Sequence, residues 1–119
     1  MIIGKRFYFD AAHHLPNYQG KCRVTHGHTY TLEVEVYGAI SIEESTSEEG
    51  MVLDLNTLSS IVKDILIQFD HQDLNTIIEP PTCERLIVLL KALIEAALPE
   101  SILLYSLRLQ EGAGGWARC

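Results

Sequence analysis

The chain has 119 residues, 47% hydrophobic and 21% charged, a balance that suits one globular domain, 1–119, around one core. Its formal net charge of −7, with no cluster among its nine lysines and arginines, argues against a general nucleic-acid surface, although a small anionic substrate needs only a local basic patch. No apolar run nears the roughly 18 residues of a membrane span, no signal-peptide pattern opens the sequence, and three cysteines make a poor disulfide framework, so a cytoplasmic protein is expected.

The elements follow in chain order. Residues 2–12 alternate as a strand, with Ile3, Phe7, Phe9 and Ala11 on one parity. Residues 27–38 alternate more cleanly: Tyr30, Leu32, Val34 and Val36 point one way, and Thr31, Glu33 and Glu35 the other, as in an antiparallel strand with one wet face. The acidic stretch SIEESTSEEG (41–50) reads as a solvated, mobile loop. Leu55, Leu58, Ile61, Val62, Ile65, Leu66 and Phe69 keep the helical period, which predicts a helix over 55–69 capped by Asp54 or Asn56. Pro80-Pro81, a capping Thr82 and Pro99 bracket a second helix over 82–97, apolar on more than one side. Leu103, Tyr105, Leu107, Leu109 and Glu111 then share one strand parity, and GAGG turns the chain into a short last strand at Trp116. The order ββααββ predicts an α+β fold: an antiparallel four-stranded sheet with both helices on one face.

All five histidines fall into three short stretches, AAHHL (11–15), HGH (26–28) and DH (70–71). His26 and His28, two apart on a strand, share a face with Tyr30, and His13 shares the apolar parity of the first strand. If the two strands pair, three imidazoles converge beneath the helices, and His14 points away. Such a group is either a set of hydrogen-bonded core histidines or a bed for Zn²⁺. Cys22 is then either a fourth ligand that closes a structural site, or a free thiol beside an open one, available as base or nucleophile. Asp70-His71 either ends the first helix or forms a proton relay, a carboxylate orienting an imidazole. Glu111, on the apolar parity at a strand end, either reaches solvent or anchors a ligand with a guanidine-like edge, such as a pterin.

The stretches FDAAHHL, CRVTHGHTY, GMVLDL, FDHQDLN, PPTCE and LRLQE, in that order, resemble the 6-pyruvoyltetrahydropterin synthase family, which includes the 6-carboxytetrahydropterin synthases of the queuosine pathway. The resemblance covers nearly the whole chain. It implies the tunnelling fold, in which monomers join their sheets into an oligomeric barrel, usually a homohexamer of two stacked trimers. It implies zinc held by His13, His26 and His28, a catalytic thiol at Cys22, a relay at Asp70 and His71, and a pterin anchor at Glu111. Thr82 and Glu84, with Cys83, are implied to line or brace the pocket, across a subunit boundary in one arrangement. The three residues between Cys22 and His26 look like the carboxytetrahydropterin branch, whose implied reaction takes 7,8-dihydroneopterin triphosphate to 6-carboxy-5,6,7,8-tetrahydropterin, acetaldehyde and triphosphate. A pyruvoyltetrahydropterin synthase, an aldolase-like enzyme giving 6-hydroxymethyl-dihydropterin, and a non-catalytic zinc or pterin-binding module are the alternatives. The chain departs from the family's usual pattern at Gly112, where threonine is common, at Arg85, where asparagine is common, and at Leu55 in Asp54-Leu55. Lys5, Arg6, Lys21 and Arg23 are either partners for the triphosphate or ordinary solvated charges.

Overall fold

The computed structural model describes residues 1–119. Strands β1 (Ile2–His13) and β2 (His26–Tyr37) precede helix α1 (Leu55–Leu66). A two-residue strand β3 (Gln72–Asp73), helix α2 (Cys83–Ala97), β4 (Leu103–Glu111) and β5 (Gly115–Arg118) follow. Short 3₁₀ turns occupy Lys21–Arg23 and Leu74–Thr76. The sheet order is β3-β1-β2-β4-β5, antiparallel except where β3 runs beside Ala11 and Ala12 of β1. The sheet is thus five-stranded and carries one parallel bridge, not the four-stranded antiparallel sheet expected. No apolar alternation could announce β3, because Gln72 and Asp73 are both polar and exposed.

Burial follows strand parity. Tyr30, Leu32, Val34 and Val36 are fully buried, as are Leu107 and Leu109 opposite them, while Phe7, Phe9 and Ala11 line the same face of β1. Onto this face α1 presents Leu58, Val62, Ile65 and Leu66, and α2 presents Leu86, Ile87, Leu90 and Ile94. The N-caps are Asp54, accepting from the Asn56 amide at 2.7 Å, and Thr82, accepting from the Arg85 amide at 3.3 Å. Helix α1 stops at Leu66, three residues earlier than its period predicts. Phe69 is nonetheless buried, in a tightened turn whose amide donates to the Leu66 carbonyl at 2.9 Å. No helix is long and apolar enough to cross a membrane.

The expected parity of β4 breaks in its first half. A bulge opposite Glu35 and Val36 pairs Glu35 with Ser106 and Val36 with Leu104, which leaves Tyr105 as the extra residue. Leu103 and Tyr105 therefore lie exposed, and Ser106 and Leu107 are both buried. Past the bulge the alternation holds, so Glu111 keeps the parity of Leu107 and Leu109 and reaches the sheet's inner face.

Phe9 sits at the centre of the packing around the histidines. It stacks on Tyr30 at 4.9 Å between centroids and approaches Phe69 at 6.3 Å. Phe9→Ala is expected to cost about 3–5 kcal/mol, the usual range for emptying a buried aromatic site, read as a lower urea midpoint with an unchanged slope.

Candidate metal centre and active site

The register of β1 against β2 builds the centre. Ala11 faces His28 and His13 faces His26 across the ladder, so the three rings meet on the helix side of the sheet end. Their centroids lie 4.7, 5.0 and 4.7 Å apart, and one nitrogen of each falls within 4.8 Å of the others. His14 stands outside this group.

Backbone carbonyls set the tautomers. His13 Nδ1 lies 3.0 Å from the Pro81 carbonyl, and His26 Nδ1 lies 2.7 Å from the Val24 carbonyl. A carbonyl only accepts, so each Nδ1 carries the hydrogen and each neutral ring presents a lone pair at Nε2. Those two Nε2 atoms are 3.1 Å apart. Two lone pairs aimed at one another repel unless a cation lies between them. His28 Nε2 is buried and makes no hydrogen bond, although Glu111 Oε1 lies 3.2 Å away. Desolvation, helped by the neighbouring His13 and His26, pushes the His28 pKa down against the pull of Glu111, which keeps the ring in its neutral, ligating form. Three clustered imidazoles, two of them with Nδ1 tied to a backbone carbonyl, match the donor set that Zn²⁺ prefers.

The other sequence-predicted residues surround this centre unevenly. Cys22 lies on the 3₁₀ turn Lys21–Arg23, half-buried and outside the histidine group; its carbonyl accepts from the Leu15 amide at 2.7 Å. Glu111 leans onto the histidines, with Oε1 3.8 Å from His13 Nε2. Gly112 after it has φ 58°, a left-handed conformation that a β-branched threonine would occupy only with strain, and this accounts for the departure from the family pattern there. Thr82 is committed to capping α2, and Glu84 is exposed in the first turn. Cys83 donates to the Leu109 carbonyl at 3.3 Å, and burial together with the charge of Glu111 pushes its thiol up to about 11, so it stays protonated.

Asp70 and His71 sit at the outer edge of β1. Asp70 Oδ1 accepts the Asp10 amide at 2.9 Å, the His71 amide donates to the Asp10 carbonyl at 2.6 Å, and His71 Nδ1 is 2.9 Å from Asp70 Oδ2. These bonds hold His71 at φ 57°, uncommon for a residue other than glycine. The Asp70 hydrogen bond raises the His71 pKa above the ordinary 6.5, and the Asp10 amide and His71 lower that of Asp70. The ring therefore keeps its proton to higher pH than a free imidazole does, and the carboxylate stays ionised to lower pH. Asp70→Asn should bring the His71 midpoint back down toward 6.5, read by NMR titration of the ring protons. A groove of about 540 Å³ runs past the pair, lined by Asp10, Gly27, His28, Thr29, His71 and Asp73 among others. Within one chain it joins His71 to the edge of the histidine centre; Cys22, Glu111, Thr82 and Glu84 do not line it.

Sequence reasoning missed the groups that hold these side chains. The Pro81 and Val24 carbonyls have no sequence signature. Asp10, which accepts from the Thr29 hydroxyl, and Asn75, which bonds the backbone of His14, both stand inside the quoted motifs but carry no parity signal.

The pattern of the family described as 6-pyruvoyl tetrahydropterin synthase matches residues 2–119. The chain belongs to this family. The family is one of pterin-processing enzymes. Among its members, a putative 6-carboxy-5,6,7,8-tetrahydropterin synthase of Archaeoglobus fulgidus is 42% identical over 72% of the chain and 69% of its own length. A 6-carboxy-5,6,7,8-tetrahydropterin synthase of Synechocystis is 39% identical over 81% of the chain and 76% of its own length. A dihydroneopterin monophosphate aldolase of Pyrococcus furiosus is 35% identical over 87% and 83%. The 6-pyruvoyl tetrahydropterin synthase of Caenorhabditis elegans superposes with a TM-score of 0.82 at 24% identity, covering 100% of the chain and 94% of the worm protein, which shows the same tunnelling fold.

Proposed function

We propose that the chain is a zinc-dependent 6-carboxy-5,6,7,8-tetrahydropterin synthase. It converts 7,8-dihydroneopterin triphosphate and water to 6-carboxytetrahydropterin, acetaldehyde and triphosphate, in the cytoplasmic route to queuosine. The observation that carries the reading is the pair of carbonyl-fixed imidazoles whose Nε2 lone pairs face each other at 3.1 Å, with a third buried and unbonded Nε2 on His28. The carboxytetrahydropterin branch is supported by the synthase relatives and by the three-residue interval between Cys22 and His26.

His13, His26 and His28 hold the zinc, which when bound supplies Lewis acidity toward the hydroxyls of the substrate side chain. Cys22, as thiolate, takes or returns a side-chain proton. His71 handles the opposite transfer, its proton held more firmly by the hydrogen bond to Asp70. Glu111 accepts two hydrogen bonds from the amino-pyrimidine edge of the pterin, which it meets after turning away from His28, and so orients the side chain toward the histidines. Thr82 and Glu84 brace the start of α2, whose preceding Pro81 carbonyl holds His13.

Self-association belongs to the same reading. The outer edge of β1 is paired by β3 only at Ala11 and Ala12, and β5 covers β4 only from Arg108 to Glu111. Exposed Tyr8, Leu103, Tyr105 and Trp116 lie on these strands. Strand pairing between copies would close the free edges into the family's barrel, a homohexamer of two trimers.

A second reading, an aldolase, is favoured by the Pyrococcus furiosus relative. One experiment separates them: purified, zinc-loaded protein is incubated with 7,8-dihydroneopterin triphosphate and the pterin product is identified. 6-Carboxytetrahydropterin with acetaldehyde supports the synthase. A 6-hydroxymethyl or 6-pyruvoyl pterin assigns the chain to another branch, and no turnover with zinc intact leaves a binding module.

A further inference from the structure

We propose that Asn75 is a positioning residue for the metal-holding His13, acting as a side-chain clamp on the backbone of the next residue. Asn75 Oδ1 accepts the His14 amide at 2.9 Å, and Asn75 Nδ2 donates to the His14 carbonyl at 2.9 Å. One amide thereby reproduces both bonds of a backbone bridge. The two partners also settle its orientation, since an amide N–H must face an oxygen and a carbonyl must face a nitrogen.

The clamp begins where the sheet stops. Strand β3 pairs with β1 only at Ala11 and Ala12, and the chain then tightens into the 3₁₀ turn Leu74–Thr76. Past that point no main-chain bond from this segment reaches His13 or His14, and Asn75 takes over the pairing. Its own base is firm: Leu74 is fully buried in the core, and the Asn75 amide donates to Asp73 Oδ1 at 3.1 Å. Asn75 Nδ2 also lies 3.2 Å from Glu79 Oε2, in the segment that leads to the Pro81 carbonyl on His13 Nδ1. His13 is thus held from two sides, its ring by Pro81 and its backbone by Asn75. The same turn follows Asp70 and His71 after only the two residues of β3, so one residue ties the proton-relay segment to the metal-holding strand. Outer partners that orient a metal-holding side chain typically cost about 10–100-fold in metal affinity when removed.

This inference rests on the zinc reading above, and its test reads zinc affinity, not turnover. Zinc is titrated in competition with a chromophoric chelator into wild type, Asn75→Ala and Thr76→Ala. Thr76 bonds only within the turn, its hydroxyl donating to the Asp73 carbonyl at 2.7 Å, so its loss loosens the turn without touching His14. Asn75→Ala should weaken zinc binding about 10–100-fold, with Thr76→Ala within about twofold of wild type. Should the alanine variant not fold, Asn75→Ser, too short to span both bonds, is read the same way. Equal affinity in wild type and the Asn75 variant overturns the clamp while leaving the zinc reading intact. An equal loss in Thr76→Ala overturns it too, because any loosening of the turn would then suffice. A wild-type chain that takes up no zinc overturns both.

Discussion

Cys22→Ala is expected to leave zinc bound at wild-type stoichiometry and to lower turnover by about 10²–10⁴-fold, the usual contribution of a positioned acid or base. The geometry behind this is the separation of Cys22 from the ligand set. The three histidine nitrogens form a group without the Cys22 sulfur, and the residue sits on its own 3₁₀ turn, placed by the carbonyl that Leu15 holds. A zinc ion with three imidazoles and an open position is a catalytic arrangement; a fourth ligand from the protein would close it. Zinc content by elemental analysis and initial rates on the same preparation decide between the two. Zinc lost together with activity would make Cys22 a ligand and the centre structural. Because Cys22 is only half-buried, its removal should leave the unfolding midpoint nearly unchanged.

His26→Ala is expected to lose zinc while keeping the fold. His26 is the informative choice of the three, because His13 is buried and satisfies the Pro81 carbonyl, so its removal would confound metal loss with instability. His26 is partly exposed, and its Nδ1 partner, the Val24 carbonyl, belongs to an exposed residue that water can reach. A structural zinc site is worth about 10–16 kcal/mol over four ligands, or roughly 2.5–4 per ligand, so affinity should fall about 10²–10³-fold. Chelator competition measures that loss, and circular dichroism checks the fold. Wild-type zinc affinity in this variant would place the metal elsewhere or nowhere, and the three rings would then be core histidines.

Much of the site was legible because it follows strand parity. His13 sits two positions beyond Ala11 on the buried face of β1, and His26 and His28 sit on the face of Tyr30, so convergence needed only that β1 and β2 pair. Glu111 was legible for the same reason, since the bulge in β4 lies before it and leaves the parity of Leu107, Leu109 and Glu111 untouched. Upstream, the bulge overrode an equally regular pattern. Leu103 and Tyr105 read as core and are exposed, because an unpaired residue turns every later or earlier side chain to the other face. Helix α1 shows the other kind of override. Phe69 keeps the apolar period, but the bonds of Asp70 and His71 to Asp10 pull the chain out of the helix three residues early.

The sequence by itself determined which residues of β1, β2 and the far half of β4 face the core, where the helices begin, and that three imidazoles lie on the inward parity of their strands. All of these depend on spacing along the chain, and spacing is a local property that periodicity displays. Only the tertiary structure decided which ring nitrogens are free, where Asp70 and His71 sit relative to β1, and that Asn75 pairs with His14. Those outcomes depend on backbone carbonyls and amides that every residue carries alike, brought together by segments as far apart as His13 and Pro81. Their identity leaves no mark on the sequence until the chain has folded back on itself.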